Sequence, residues 1–223
     1  MNFKQVIPFL FIFCVNLVFA QTTPTADSLK ITGGQIHING QIVGAENQKV
    51  YLVNQNLGGI KSPMAEVSTD KDGKFEIDTT IAVRDYYLLR LENGQLLNLV
   101  LSPSDKITVY ADAKDLLHLS NIIGSEHSVL LNEFLIELQA FKSMEDSLRN
   151  VLKGNPLMQA EINEFFSPVV QKFYSYRNNF INTNQASPAL IGTLNAIDQN
   201  KEWTVYKQVI SLLNYSFGDS PTI

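Results

Sequence analysis

The chain has 223 residues, of which 45% are hydrophobic and 17% charged, and its formal net charge is −5. This hydrophobic content is typical of a folded protein and excludes a largely disordered one. The acidic balance, with no basic run, argues against a nucleic-acid-binding protein, and a single cysteine, Cys14, excludes an internal disulfide.

The N-terminal segment has the features of a secretory signal peptide. Lys4 supplies a positive charge, and the apolar stretch Val6–Phe19 follows it and ends at the small residue Ala20. We therefore expect cleavage between Ala20 and Gln21, which would export the chain to the periplasm or out of the cell. An uncleaved anchor is the alternative, although the stretch is shorter than the roughly 20 apolar residues that a spanning helix needs.

Cys14 lies inside the apolar stretch, so cleavage after Ala20 is expected to remove it from the exported chain. Lipidation of Cys14 is disfavoured because the bulky Phe13 stands where a lipoprotein signal needs a small residue. The exported chain would then carry no thiolate nucleophile and no sulfur ligand for a metal. Residues 21–30 are polar and are expected to form a flexible spacer. After cleavage we expect no segment that spans a membrane.

Between residues 31 and 124, apolar and polar residues alternate, which is the pattern of half-buried strands. The alternating apolar residues are Ile36, Ile38, Ile42, Val50, Leu52, Phe75, Ile77, Leu97, Leu99, Leu101, Ile107 and Val109. Turn signals separate them, among them 56–59, Asp72-Gly73 and Asn93-Gly94. Asn93-Gly94 predicts a hairpin, because both residues tolerate positive φ. We expect seven or eight strands in two antiparallel sheets packed face to face.

After Gly124 the apolar residues recur at helical spacing. A first helix is expected to begin at Ser125 or Ser128, either of which can cap it, and to end at 154–156. A second helix carries the apolar and aromatic residues between Ile162 and Phe180. Because Pro168 lies inside this segment, we expect a kink or break near residue 167.

Two further helices complete the prediction. Ser187-Pro188 is a typical cap and first turn for a third helix over 189–197, and a fourth is expected from about Trp203 to Phe217, ended by Gly218. The fold class is therefore α+β, with an antiparallel β-sandwich over 31–124, a helical region over 125–218 and a tail over 219–223. Whether the sandwich and the helices share one core is left open.

The segment 68–75 resembles a calcium-binding loop at first sight. An EF-hand loop needs a third oxygen ligand before its glycine and a glutamate at its twelfth position. Here Asp72 directly precedes Gly73, and Ile81 occupies the twelfth position counted from Asp70. We therefore predict a tight turn between two strands, with Asp70 accepting local backbone hydrogen bonds.

The histidines do not indicate a metal or catalytic site. His37, His118 and His127 show no ligand spacing such as i, i+4. His127 precedes Ser128, but neighbours in sequence at a helix start point in different directions, so we interpret this segment as a helix N-terminus.

Two helical clusters are also interpreted as structural. Glu133 and Glu137 share a helix face by spacing, where carboxylates are usually solvated. Most of the aromatic residues of this helix are interpreted as core: Phe165, Phe166, Phe173, Tyr174, Tyr176 and Phe180. Tyr174 and Tyr176 cannot both face the core, so we expect one of them to be exposed and to mark a partner surface. We predict no catalytic, cofactor-binding or metal-binding residue.

The succession of turns and strand ends carries a family resemblance. Strands with Val50-Tyr51-Leu52, the 70–75 turn, Tyr87-Leu88-Leu89, the run 97–105 and 123–125 before a helix follow in that order. This resembles the N-terminal domain of secreted TlpA/ResA-like disulfide oxidoreductases of the thioredoxin family, where it precedes the thioredoxin module. The resemblance implies an envelope location and an accessory role. The Trp-Cys-x-x-Cys motif of those enzymes is absent from this sequence.

Three functions follow from these observations. The first is a non-catalytic envelope module that binds a protein or peptide partner, without enzymatic activity or cofactor. The second is the N-terminal part of a periplasmic thiol–disulfide oxidoreductase. The third is a glycan-binding sandwich that uses tyrosines such as Tyr51, Tyr86 or Tyr110.

Overall fold

The structure is a computed structural model that describes residues 33–54 and 63–223. The predicted cleavage site Ala20/Gln21, Cys14, the spacer and the turn at 56–59 lie outside these residues. The described part contains eight strands: β1 (Gly34–Val43), β2 (Lys49–Asn54), β3 (Ala65–Ser68), β4 (Lys74–Ile81), β5 (Asp85–Leu91), β6 (Leu96–Leu101), β7 (Lys106–Asp112) and β8 (Ser120–Ile123). Four α-helices follow: α1 (Glu126–Gly154), α2 (Gln159–Thr183), α3 (Ile191–Leu194) and α4 (Trp203–Phe217).

The strands form two four-stranded sheets, which confirms the predicted α+β class and the two-sheet architecture. Sheet 1 has the order β4-β1-β7-β8, and sheet 2 has the order β3-β2-β5-β6. The expectation of purely antiparallel sheets was wrong at one pair, because β1 and β7 run parallel, with Ile38 opposite Ile107. A parallel pair needs a long connection, and here the chain passes through all of sheet 2 between these two strands.

Glycine permits the close approach of β7 to β1. A Cβ atom on Gly40 would overlap with the carbonyl oxygen of Val109 on β7. The period-two pattern alone marks Gly40 as an ordinary strand position, so this requirement comes from the pairing.

The predicted hairpin at Asn93-Gly94 is present and joins β5 to β6. The Gly94 N–H donates to the carbonyl of Leu91 at 3.0 Å. Gly94 has a φ of +87°, whereas Asn93 is not among the described residues with positive φ. The turn therefore uses left-handed backbone at its glycine, where the absent side chain removes the steric cost.

The interior between the two sheets forms one apolar core. Each alternating strand residue predicted above contributes to it, and so do Ile81, Tyr87, Leu89, Leu91, Ala111 and Ile122.

A second apolar core lies on the other face of sheet 2. Tyr86 and Val100 point outward from β5 and β6 and pack with Phe134, Phe180 and Phe217 of the helices. Their alternation with the inward residues of the same strands gives sheet 2 two buried faces. The molecule thus has three layers, with sheet 2 in the middle, and the sandwich and the helices are joined through it.

The first and fourth helices follow the prediction closely. Ser125 caps α1 and accepts a hydrogen bond from the Ser128 N–H, and α1 ends at Gly154 before a 3₁₀ turn that begins at Pro156. The fourth helix has the expected bounds.

The second and third helices differ from the prediction. Of the expected kink or break near residue 167, the break was wrong, because α2 continues through Pro168 as one helix; the kink stays a prediction. The third helix is shorter than expected: a 3₁₀ turn at Pro188–Leu190 leads into α3, which ends at Leu194 instead of 197. Ser187 does cap this turn, accepting from the Ala189 N–H at 3.2 Å.

A helix that crosses a bilayer must be both long and apolar. None of the helices in the described part combines these two properties.

Candidate functional site

The calcium-like segment is a tight turn, as predicted. It connects β3 in sheet 2 with β4 in sheet 1, and the Asp70 side chain accepts hydrogen bonds from the N–H groups of Asp72 and Lys74, both at 2.8 Å. The bonds from Lys74 and then Asp72 hold the pKa of Asp70 below its usual range. Gly73 has a φ of +72°. The carboxylate of Asp70 thus stabilises the turn.

Ser128 is a structural residue at the start of α1. Its side chain is fully buried, and its hydroxyl oxygen accepts from the Val100 N–H at 2.8 Å. One helical turn on, the Asn132 amide donates to the Asn98 carbonyl at 2.7 Å. The two side chains thus bond to backbone groups of β6, which is an edge strand of sheet 2. Backbone groups left unpaired on an edge strand can pair with another strand.

His127 contacts a serine that sequence reasoning did not connect to it. Its Nδ1 lies 3.1 Å from the Ser187 hydroxyl, 60 residues away in sequence. Burial is the main cause that lowers the pKa of His127, so the ring is neutral at neutral pH and can accept this hydrogen bond. The hydrogen bond between the two side chains links α1 to the turn that precedes α3. Because Ser187 is 6% exposed and caps that turn, its hydroxyl is not a nucleophile open to solvent.

The three tyrosines considered for glycan binding do not form a common surface. Tyr86 is buried, and its hydroxyl donates to the carbonyl of Pro188 at 2.8 Å. Tyr51 lies on sheet 2 under the guanidinium of Arg90, whereas Tyr110 is exposed on β7 of sheet 1. The structure therefore provides no shared aromatic platform from these residues.

The far half of the α1/α2 hairpin exposes several large apolar side chains. We call residues 139–172, which run from the middle of α1 to the middle of α2, the distal hairpin. The buried residues of α1 all precede residue 139, and in the described side chains of the distal hairpin Ile162 alone is buried. Four large apolar side chains are exposed there: Met144 (42%), Val151 (46%), Leu157 (94%) and Phe165 (66%).

An apolar groove lies between the two helices at the base of the distal hairpin. We call it the hairpin groove; its cavity volume is about 330 Å³, and it is lined by Glu137, Ala140, Phe141, Met144, Val169, Lys172, Phe173 and Tyr176. Within this lining, the rings of Phe141 and Phe173 stack with their centroids 4.2 Å apart. The rim has opposite charges on its two sides, from Glu137 on α1 and Lys172 on α2.

Of the predicted helical clusters, only Glu137, Phe173 and Tyr176 line this groove. The interpretation of Phe165 as core was wrong, because its side chain is 66% exposed. Glu133 and Glu137 are exposed, as expected. Burial first, and then the nearby charges of Glu137 and Glu133, raises the pKa of Tyr176, so its phenol stays neutral. Tyr176 is partly buried and Tyr174 is exposed, as predicted. Sequence reasoning missed Ala140 and Met144, which lie on the same stripe as Glu137 and Phe141 and were detectable by that spacing.

Pairing of strands also brings together residues that the sequence pattern did not connect. His37 on β1 lies opposite Asp78 on β4, and Glu76 follows on the same face. The relevant signal is the alternation of Glu76 and Asp78 on one strand, but nothing local shows that β1 is the neighbour.

Comparison with known families identifies one similarity. Residues 36–131 match a family described as a domain of unknown function, DUF4369. The match runs from β1 to the first turns of α1, so it covers both sheets and Ser128, but it ends one residue before Asn132. A search of curated proteins finds no match.

Proposed function

We propose that this chain is a non-catalytic module of the cell envelope that binds a protein partner through the hairpin groove. The observation that carries the proposal is the apolar lining of the hairpin groove, which includes the exposed side chain of Met144. Removal of such side chains from water favours association, and exposed apolar patches are typical of interaction surfaces.

The lining of the hairpin groove supports a helical partner. On α1 the lining residues are Glu137, Ala140, Phe141 and Met144, and on α2 they are Val169, Lys172, Phe173 and Tyr176. Both sets have the spacing i, i+3, i+4, i+7, which is one stripe over two helical turns. Two antiparallel helices with such stripes along one groove can receive a third helix, as in other helix-in-groove complexes.

The charges of the rim suggest the chemistry of that helix. Its apolar face would enter between Phe141 and Tyr176, next to the small side chain of Ala140. A basic residue beside Glu137 and an acidic residue beside Lys172 would complement the rim, and such charges set the orientation and rate of association more than the affinity. The partner we propose is therefore an amphipathic helical segment with both signs of charge.

An accessory, non-catalytic role is consistent with the other candidate residues. The Asp70 carboxylate, the Ser128 hydroxyl and the His127–Ser187 pair each take part in hydrogen bonds that hold the fold together. The envelope location is supported by the signal-like sequence that ends at Ala20, and the accessory role by the resemblance to the N-terminal domain of thioredoxin-family oxidoreductases.

The test is site-specific photo-crosslinking from the hairpin groove in cells of the native host. A photoreactive amino acid at Met144 is expected to give a covalent adduct with one polypeptide, identified by mass spectrometry. Ala140→Glu, which places a charge in the groove, is expected to abolish the adduct. Ala160→Glu is the matched control, because Ala160 is also an exposed helical alanine but lies outside the groove.

The captured polypeptide, once purified, is then titrated into the chain by calorimetry. Binding that Ala140→Glu weakens and Ala160→Glu leaves unchanged supports the proposal. An adduct that survives Ala140→Glu, or an adduct with a lipid or a small molecule, would contradict it.

A further inference from the structure

The outer face of sheet 1 carries a cluster of side chains of the kind that bind metal ions. In the antiparallel pairing of β1 with β4, His37 lies directly opposite Asp78, and Glu76 is two residues from Asp78 on the same face. Because β4 is an edge strand of sheet 1, the cluster is open to solvent at the side as well as above.

The ligand atoms of this cluster are close enough to share one ion. His37 Nδ1 is 2.9 Å from Asp78 Oδ1 and 3.6 Å from Glu76 Oε1, and the three atoms all lie within 4.8 Å of one another. Tetrahedral zinc with ligands at about 2.0–2.1 Å separates neighbouring ligand atoms by about 3.3 Å. The two distances from His37 Nδ1 lie on both sides of this value, and the carboxylate oxygens of Glu76 and Asp78 lie within 4.8 Å of each other, so rotation of these exposed side chains can form the site.

We propose that His37, Glu76 and Asp78 bind a divalent transition-metal ion, with Zn²⁺ as the representative. One imidazole and two carboxylates suit this class, whereas calcium and magnesium favour all-oxygen sites. Two carboxylates neutralise the charge of the ion. Three protein ligands on one exposed face leave a coordination position for water or for another molecule.

Asn39 is placed to orient the imidazole. It lies two residues from His37 on the same face of β1, and its Nδ2 is 3.0 Å from His37 Nε2. When Nδ1 binds the metal, Nε2 carries the proton, and a half-turn of the Asn39 amide presents its oxygen to accept it. Such partners fix the tautomer and the ring direction of a histidine ligand.

A cleft beside the cluster leaves room for the open coordination position. Its volume is about 560 Å³, and it is lined by Gln35, Ile36, His37, Asp78, Ser104, Asp105 and Lys106. Lys106 on β7 is the registered neighbour of His37, and its charge opposes a cation. We therefore expect Lys106→Gln to tighten Zn²⁺ binding.

The test is calorimetric titration of the purified protein with Zn²⁺ at neutral pH. We expect one ion per chain. Loss of an outer-sphere partner typically weakens metal binding by about 10–100-fold, and we expect a loss in that range for Asn39→Ala. For His37→Gln and Asp78→Asn, which remove a ligand, we expect a larger loss. Because these side chains point to solvent from the strands, circular dichroism should show each variant folded.

The chain contains a matched control for this site. His118 Nδ1 lies 2.9 Å from Asp115 Oδ2, the same separation as in the His37–Asp78 pair, but no third ligand of the described residues joins it. His118→Gln is therefore expected to leave the affinity unchanged. Equal loss in His118→Gln and His37→Gln, or no loss in His37→Gln, would overturn the proposal.

A second readout separates a specific site from general surface binding. In nitrogen-detected NMR of the histidine rings, Zn²⁺ is expected to shift Nδ1 of His37 first, before either nitrogen of His118 or His127. Simultaneous shifts of all three rings would contradict a site at His37. This outcome is independent of whether the hairpin groove binds a partner.

Discussion

Arg177 shows how far a single residue can depart from its usual environment. Its side chain is 1% exposed, although arginine is rarely buried. Its guanidinium forms a bidentate salt bridge with Glu202, with Nη2–Oε1 and Nη1–Oε2 distances of 2.6 and 2.9 Å. It also donates a hydrogen bond to the carbonyl of Ala196 at 2.8 Å. The contact joins α2 to the start of α4. A buried arginine left without its carboxylate is costly, since its charge is then uncompensated.

This contact predicts a pH-dependent stability. The hydrogen bond from Arg177 is the main cause that lowers the pKa of Glu202. A lowered pKa in the folded state means stability that is fully present above the unfolded-state pKa of about 4.3 and is lost as the pH falls through the folded value. Glu202→Gln is therefore expected to cost about 3 kcal/mol at neutral pH, and clearly less at pH values below the folded pKa.

Urea unfolding of both proteins across this pH range measures the difference. Glu145→Gln is the matched control, because Glu145 forms an exposed i, i+4 pair with Arg149, and such pairs are worth about 0.3–0.5 kcal/mol. A penalty for Glu202→Gln that does not change with pH would show that the charge of Glu202 is not what stabilises Arg177.

At the scale of the element, α2 shows that a proline does not always end a helix. Pro168 lacks the N–H that would bond to the carbonyl of Glu164, and its ring crowds that carbonyl. The helix nevertheless extends for 25 residues. Its continuation is supported on both sides, since Ile162 before the proline and Phe173 after it are both buried. Packing at two points thus outweighs a local defect between them.

Replacement of this proline is expected to stabilise the distal hairpin. Pro168→Ala restores a backbone hydrogen bond, and a proline in a helix interior costs about 3 kcal/mol. Amide hydrogen exchange should therefore slow over 159–172, with little change in α4. The neighbouring exposed Ser167→Ala is the control, because its propensity change is only a few tenths of a kcal/mol. Equal exchange in wild type and Pro168→Ala would show that α2 has already relaxed the strain.

At the scale of the whole molecule, the residues after α4 are held against the sandwich by hydrogen bonds and an ion pair. Asp85 at the start of β5 is 1% exposed, and its carboxylate accepts from the hydroxyls of Ser220 and Thr222, both at 2.6 Å, and from Asn54 at 3.0 Å. Burial alone would raise the pKa of Asp85, but these hydrogen bonds together hold it below its usual range. Beside it, Arg84 forms an ion pair with Asp219 at 2.8 Å. The segment expected to be a tail is thus part of the folded unit.

Loss of these hydroxyl contacts should loosen the segment. In the double variant Ser220→Ala, Thr222→Val, the Asp85 carboxylate stays buried with fewer donors, and each lost partner of a buried group costs about 1–3 kcal/mol. We expect a lower free energy of unfolding and faster amide exchange at 219–223. Thr204→Val with Ser211→Ala removes two exposed hydroxyls of α4 and serves as the control. Unchanged exchange at 219–223 would show that other contacts hold the segment.

Local patterns in this chain predicted local structure well. The alternation around Ile36 and Ile38, the glycine at 94 and the serine at 125 each act on neighbours within a few residues, so strands, hairpin and helix cap were predictable. The same reasoning treated Tyr86 as a surface candidate, because nothing near it shows that a helical layer covers this face of sheet 2. It also missed the hairpin groove: the spacing of Ala140 and Met144 marks a stripe on α1, but nothing local shows that α2 lies beside it.

The sequence by itself determined the α+β class, the order of elements and the residues of the sandwich core, because the period of apolar residues depends on short-range geometry. Only the tertiary structure decided the parallel pairing of β1 with β7, the burial of Arg177 and the meeting of His37 with Glu76 and Asp78. Each of these depends on partners distant in sequence. Packing and hydrogen bonding across the whole fold select these partners, and no local pattern in the sequence encodes them.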